Sequence, residues 1–215
     1  MRINYVAVLS IMGFMAAHGY SLEDGAILVR AARNAIELSI RSPRFDLNSI
    51  RRAMSGFTQD YDLTVSLYYY PTNESRGSFG VLMHGRQVGK VLVDHALSAA
   101  FNDARHVPVS DRDIDDIVVE VCITSKPVLL KSISRRRAIK AGREGVILRY
   151  GTHMSVVTPE EARSKGWNAE QMLEHACAVA GISKHHWKQP NVRLYKFEVQ
   201  MFKETSPNGE IVEVR

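Results

Sequence analysis

Apolar residues repeat at intervals of three and four residues in several segments of the chain, which is the spacing of an amphipathic helix. This pattern predicts a first helix from Ser21 to about Ser39 and a second from Gln87 to Phe101. Two more helices are expected directly after Thr158 and Asn168, because both side chains can accept hydrogen bonds from the first backbone N–H groups of a helix. Helices are therefore expected in both halves of the chain.

Other segments alternate apolar and polar residues, as a strand with one buried face does. Strands are predicted at Asp62–Tyr70 and Ile117–Thr124, with a hairpin between Gly145 and Thr158. Pro71–Gly80 is expected to be a long turn, and Val192–Phe202 a long strand. One face of that last strand is expected to carry Tyr195, Phe197, Val199 and Met201.

The irregular order of these elements favours an α+β fold over a doubly wound sheet. We expect mixed or antiparallel sheets with packed helices, in one compact unit of two lobes. The length of 215 residues suits such a unit. Residues 1–20 are expected to be an apolar extension, and 21–204 the domain itself. Residues 205–215 are expected to be a short polar C-terminal tail that includes a turn at 206–209.

Cysteine use and the N-terminal sequence bear on the compartment. Cys122 and Cys177 each stand alone in an apolar setting, which excludes a disulfide framework and a C-x-x-C site. Val6–Ala17 resembles the apolar part of a signal peptide, but it is too short to span a bilayer. We expect a cytoplasmic protein with reduced thiols and no membrane span.

The chain lacks the usual motifs for metals and nucleotides. His185 and His186 are adjacent, so their side chains point in different directions and form a poor chelating pair. No H-E-x-x-H, G-x-G-x-x-G or P-loop sequence occurs. No metal site and no cofactor are therefore expected.

Several short segments follow one another in a recognisable order. Arg76–Gly80 reads Arg-Gly-Ser-Phe-Gly, Ala99–Arg105 reads Ala-Ala-Phe-Asn-Asp-Ala-Arg, and Val118–Val121 reads Val-Val-Glu-Val. Further landmarks are Gly142, Gly145, Trp167, Cys177, Gly181, Trp187, Phe197, Phe202 and Glu204. In this order the segments resemble the AMMECR domain family, from about Gly25 to Glu204. The resemblance implies a domain without a settled activity, in an accessory role beside Memo-like or radical-SAM proteins.

Ser78 departs from the family pattern, because the family usually has cysteine at this position of its Leu-Arg-Gly-Cys-Ile-Gly signature. A hydroxyl keeps the small size of a thiol but not its redox chemistry or its low-pKa nucleophilicity. If relatives act through that thiol, this chain must act in another way.

The leading hypothesis is a binding or accessory domain with an anion-accepting cleft at this signature. Two glycines would allow backbone N–H groups to converge on an anion, and an arginine would add a planar charged fork. The residues expected to bind an anionic small molecule or a partner's acidic group are Arg76, Gly77, Ser78, Phe79, Gly80 and Arg105. In the alternative interpretation, Arg76 pairs with an internal acid such as Asp103 or Glu120.

A second hypothesis is a small enzyme that acts on an anionic substrate. Ser78, Asp103 and Glu120 are the candidates for proton transfer or nucleophilic attack. Glu120 would have a raised pKa if protein covers it, and would be a surface carboxylate otherwise.

A third hypothesis is RNA or DNA binding. Arg135, Arg136, Arg137 and Lys140 form a basic stretch in a chain with a net charge of +5. Such stretches are usually solvated loops, and here the arginines would pair with the acidic segment before them.

Overall fold

Helices and strands alternate irregularly in this computed structural model, which describes residues 19–81, 85–131 and 135–214. The helices are α1 (Leu22–Arg41), α2 (Asn48–Ala53), α3 (Val88–Phe101), α4 (Pro159–Ser164) and α5 (Ala169–Val179). The strands are β1 (Asp60–Tyr69), β2 (Ser75–Gly80), β3 (Arg86–Gln87), β4 (Ile117–Thr124), β5 (Val128–Leu129), β6 (Glu144–Tyr150), β7 (His153–Val157), β8 (Arg193–Glu204) and β9 (Ile211–Val214). Of the apolar extension expected at residues 1–20, residues 1–18 lie outside the described part of the chain.

The strands form one nine-stranded sheet with the order β2-β1-β4-β8-β6-β7, to which β3, β5 and β9 add short pairings. Each pairing is antiparallel. β8 is the central strand, since Arg193–Glu198 pairs with β6 and Val199–Lys203 pairs with β4. The α+β prediction with an antiparallel sheet is thus confirmed.

One face of the sheet packs against the helices. Side chains of Leu63 and Val65 on β1 and of Val121 on β4 join those of α1 and α3 in one hydrophobic cluster. A second cluster combines β6 and the start of β8 with α5, for example through Leu148 and Leu194. The caps predicted for these helices are present, with Ser21, Thr158 and Asn168 each accepting a backbone N–H group.

The other face of the sheet carries the alternate residues, many of them polar. Ser78 on β2 lies opposite Ser66 on β1, Ser66 opposite Glu120 on β4, and Glu120 opposite Lys203 on β8. Directly opposite residues of antiparallel strands point to the same face, so these four side chains form a row across the sheet. This side is called the opposite face below, and of the candidate residues it carries Ser78 and Glu120.

Two predictions for individual segments need correction. The long turn expected at 71–80 ends at Glu74, because Ser75–Gly80 is strand β2, paired with β1. The segment at 205–215, expected as a polar tail, contains β9, which pairs with the end of β8. On β8 the residues Tyr195, Phe197, Val199 and Met201 share one face, as expected. Phe197 is buried on that face, and Leu194 and Phe202 are buried on the other.

Candidate functional site

Arg76 lies on β2 and is only 2% exposed. Its guanidinium donates hydrogen bonds to the carbonyl oxygens of Val107 (2.8 Å) and Pro108 (3.2 Å), and to Oδ2 of Asp113 (3.2 Å). The internal acid that it pairs with is therefore Asp113, rather than Asp103 or Glu120. An external anion would have to displace these partners, so Arg76 fastens the loop after α3 to the sheet.

Gly77 and Gly80 lie in extended backbone of β2, and neither has a positive φ. A Cβ atom on Gly77 would lie 2.2 Å from the carbonyl oxygen of Ala99, and one on Gly80 would lie 2.1 Å from Oγ1 of Thr64. The expected concavity of converging N–H groups is therefore wrong, because successive N–H groups of a strand point to opposite sides. The glycines instead allow α3 and β1 to approach β2 closely.

Ser78, Asp103 and Arg105, all predicted site residues, form one hydrogen-bonded cluster. The Ser78 N–H donates to Oδ2 of Asp103 (2.8 Å). Arg105 binds the same carboxylate through Nε (2.9 Å to Oδ1) and Nη2 (2.6 Å to Oδ2), and its Nη2 lies 3.0 Å from Oγ of Ser78. The Asp103 side chain is 6% exposed and the Arg105 side chain 64%.

This cluster sets the charge states of its members. Hydrogen bonds from the Arg105 side chain and from the backbone N–H groups of Arg105 and Ser78 hold the pKa of Asp103 well below its usual range. The Asp103 carboxylate in turn raises the pKa of Arg105. Asp103 is therefore a poor proton acceptor near neutral pH and serves to orient Arg105.

Phe79 follows Ser78 on the edge strand and keeps 36% of its surface exposed. Its ring meets the His95 ring edge-on, with 5.1 Å between the centroids. His95 Nδ1 lies 2.9 Å from the carbonyl oxygen of Leu63, and burial lowers the His95 pKa. His95 is thus a core histidine, while Phe79 presents apolar surface next to the cluster.

Glu120 lies in the polar row across the opposite face, beside two residues that the sequence did not single out. The Tyr68 hydroxyl donates to Glu120 Oε1 (3.2 Å), and Lys203 Nζ lies 4.0 Å from Glu120 Oε2. The same Nζ sits 4.0 Å from the centroid of the Tyr68 ring. Burial raises the pKa of Glu120, and the attraction of the carboxylate to Lys203 opposes this rise. Burial also raises the pKa of Tyr68 to about 12. Glu120 is therefore the covered carboxylate that the sequence hypothesis required.

The basic stretch does not form a continuous basic surface. Arg135 is buried, and its guanidinium donates to the carbonyl oxygens of Trp187, Gln189 and Val192. Arg136 pairs with Glu170 at 2.9 Å. Arg137 and Lys140 are exposed.

The AMMECR1 family profile matches residues 29–202, which is most of the chain. The chain belongs to the AMMECR1 family. It is similar to protein MJ0810 of Methanocaldococcus jannaschii, with 34% identity over 196 residues that cover 90% of this chain and 96% of that protein. Protein MK0488 of Methanopyrus kandleri is 30% identical over 197 residues, which cover 90% of this chain and 94% of that protein.

The fold agrees with a solved structure of similar size. The crystal structure of the uncharacterized protein PH0010 from Pyrococcus horikoshii matches with a TM-score of 0.64 and 28% identity, over 88% of this chain and 96% of that chain. The resemblance noted in the sequence is therefore confirmed. None of these names states an activity, so AMMECR1 membership leaves the biochemical role to be inferred from the site.

Two features are absent from the described parts of the chain. No group of three or more His, Cys, Asp or Glu side chains there is arranged to hold a metal ion. No helix among the described residues is both long and apolar enough to cross a membrane.

Sequence reasoning missed Tyr68, Ser66 and Lys203. Tyr68 and Ser66 alternate with the apolar core residues of their strand, and Lys203 lies one residue before the landmark Glu204. Alternation alone could have placed Tyr68 and Ser66 on the same face as one another. It could not have shown that β1, β4 and β8 are neighbours in this register.

Proposed function

We propose that this AMMECR1-family chain is a binding domain that accepts a carboxylate or phosphate group of a ligand or partner at the surface formed by Ser78, Phe79 and Arg105. The observation that carries the proposal is that the Arg105 guanidinium is largely exposed and is also held in one orientation. Asp103 binds it through two atoms and Ser78 Oγ accepts a third contact. A guanidinium fixed in advance loses little conformational entropy when it binds an anion.

The remaining donors of Arg105 suit such a group. Among the described residues, none accepts a hydrogen bond from its Nη1. Asp103 partly offsets the positive charge of Arg105, so the general attraction of an ion to this site is reduced. A ligand that accepts well-directed hydrogen bonds from the guanidinium is therefore favoured over a simple ion. The exposed ring of Phe79 adds apolar contact area, as expected at a surface that receives a partner.

An NMR titration with inorganic phosphate and with an acetylated, amidated diglutamate peptide tests the proposal. Backbone amide shifts at Ser78 and Arg105 should move with saturation. Arg105→Gln should weaken binding about tenfold, the size expected for one charge-assisted hydrogen bond. Arg44→Gln, which changes an exposed arginine on another loop, is the matched control. Equal affinities for the two variants and the unchanged chain would rule the site out.

A second candidate is an enzyme acting on an anionic substrate, and the row on the opposite face favours it. A covered Glu120 with a raised pKa, hydrogen-bonded by Tyr68 and close to Lys203, has the features of a general acid or base beside a cation. Hydrolysis of p-nitrophenyl phosphate by the unchanged chain and by Glu120→Gln tests it. A turnover that is the same in both would remove Glu120 from any such role.

The compartment and the partner class are further proposals. Cys122 and Cys177 are both free thiols, in keeping with a reducing cytosol. A Memo-like or radical-SAM protein remains the partner suggested by family resemblance. Its acidic surface groups would be the first to test against Arg105→Gln.

A further inference from the structure

A cleft of about 400 Å³ opens near the start of β1, away from the Ser78 cluster. It lies beside three strands, because Tyr195 on β8 pairs with Ile147 on β6 and with Leu129 on β5. Its lining residues are Asp62, Gly85, Lys126, Pro127, Ile147, Arg149 and Tyr195. Ile147 alternates with Val146 and Leu148, which pack with α5, so the cleft is on the opposite face of the sheet. The volume is in the range of sites for small molecules, about 300–1,000 Å³.

The walls of the cleft are apolar. Ile147 is 4% exposed, and the Tyr195 ring and Pro127 add further carbon surface. The Arg149 guanidinium lies over the Tyr195 ring, with 5.9 Å between Cζ and the ring centroid. This stacking holds a planar cation against an aromatic wall, an arrangement that can bind an anionic group next to a flat apolar one.

The charges on the lining favour an anion. Two cations, Lys126 and Arg149, face one carboxylate, Asp62. Oδ1 of that carboxylate accepts the Gly85 N–H at 2.9 Å, so the acid is already engaged within the protein. Lys126 is held at the rim by Asp60, with 3.0 Å between Nζ and Oδ2, and its side chain is 60% exposed. Asp60 offsets the charge of Lys126, so a cationic ligand would meet chiefly the like charge of Arg149, with which an anion would pair.

We propose that this cleft binds a small amphipathic anion, a carboxylate or phosphate carried on an aromatic or aliphatic body. The apolar body lies against Ile147, Pro127 and the Tyr195 ring, and the anionic group lies at Arg149 and Lys126. The site is separate from the surface proposed at Arg105, and neither depends on the other.

Ligand-detected NMR with charge-matched probes tests the proposal. Phenyl phosphate and benzoate should show saturable binding to the full chain, while benzylamine, with a similar ring and the opposite charge, should not bind. Arg149→Gln and Lys126→Gln should each weaken phenyl phosphate binding about tenfold. Arg44→Gln is again the matched control, because this exposed arginine lies on the loop after α1 and is not part of the lining.

The outcomes separate this site from the other proposal. Lys126 is exposed, so Lys126→Gln stays informative even if Arg149→Gln disturbs folding. Binding that persists in Arg105→Gln and falls in the two cleft variants supports the cleft. Binding of benzylamine as tight as that of benzoate would overturn it. So would phenyl phosphate binding that only Arg105→Gln weakens, which would instead support the Arg105 surface.

Discussion

The Arg33 guanidinium and the Glu204 carboxylate form a bidentate ion pair inside the protein, with Nε 2.6 Å from Oε1 and Nη2 2.5 Å from Oε2. Arg33 also donates to the carbonyl oxygens of Ile114 and Ile117, and Glu204 accepts the Val119 N–H at 3.0 Å. The pair therefore joins α1, β4 and the end of β8. It anchors the half of the sheet that carries Ser78 and Glu120.

Replacing Arg33 with methionine should lower the free energy of unfolding by about 3–5 kcal/mol, because the buried Glu204 carboxylate then keeps only the longer contact to Arg30, 3.6 Å from Oε1 and partly exposed. Urea denaturation followed by circular dichroism measures this. The double variant Arg33→Met/Glu204→Leu should recover part of the loss, since the buried carboxylate is then gone. A single-variant loss below about 1 kcal/mol would show that Arg30 alone compensates the Glu204 carboxylate.

Gly77 is predicted to be required for packing rather than for ligand binding. Its replacement with alanine brings a methyl group against the Ala99 carbonyl oxygen, so Gly77→Ala should cost about 1–3 kcal/mol. Gly56→Ala is the control, because a Cβ there meets nothing within 4 Å. Thermal unfolding of both variants tests the prediction, and equal melting temperatures would contradict it.

Arg76 is predicted to stabilise the loop that follows α3. Arg76→Gln removes donors to Val107, Pro108 and Asp113, and should cost about 3 kcal/mol since buried acceptors lose their partners. Hydrogen exchange should quicken at the amides of the 107–113 loop. Arg112→Gln, at an exposed arginine of that loop, should leave the exchange unchanged. The prediction fails if Arg76→Gln weakens phosphate binding and leaves stability and exchange as they were.

The local pattern of the sequence was enough for the elements with strong periodicity. The helix that begins after Ser21 and the strand Ile117–Thr124 were predicted because each has a regular apolar repeat. β2 was missed because Ser75–Gly80 holds two glycines and one large apolar residue, and its strand geometry depends on pairing with β1. The cluster of Ser78 with Asp103 and Arg105 likewise depends on where α3 ends relative to β2, which no local pattern encodes.

The pairing of Arg76 shows the same limit at one residue. The sequence supplied two acids as internal partners, Asp103 and Glu120, yet the partner is Asp113. Asp113 lies in a run of acids with no periodicity that would distinguish one of them as the partner of Arg76. Its position depends on the loop that Arg76 itself holds, so the partner could be identified only from the folded structure.

Glu120 should make the stability of the fold depend on pH. Burial raises its pKa, so the folded chain favours the protonated carboxyl. The resulting stabilisation is complete below the ordinary value of 4.5 and is lost as the pH rises through the raised pKa of the folded state. Glu120→Gln keeps a neutral side chain at every pH. The variant should therefore gain stability relative to the unchanged chain above this window, with the difference smallest in acid.

Urea denaturation at several pH values from 4 to 8 measures that difference. Glu74→Gln, at an exposed carboxylate in the turn between β1 and β2, is the matched control. The attraction of Lys203 and the hydrogen bond from Tyr68 favour the charged form and set the size of the effect. If Glu120→Gln is less stable than the unchanged chain at pH 8, these two partners outweigh the cost of burial. Glu120 would then be ionised throughout the neutral range and unable to act as a proton donor there.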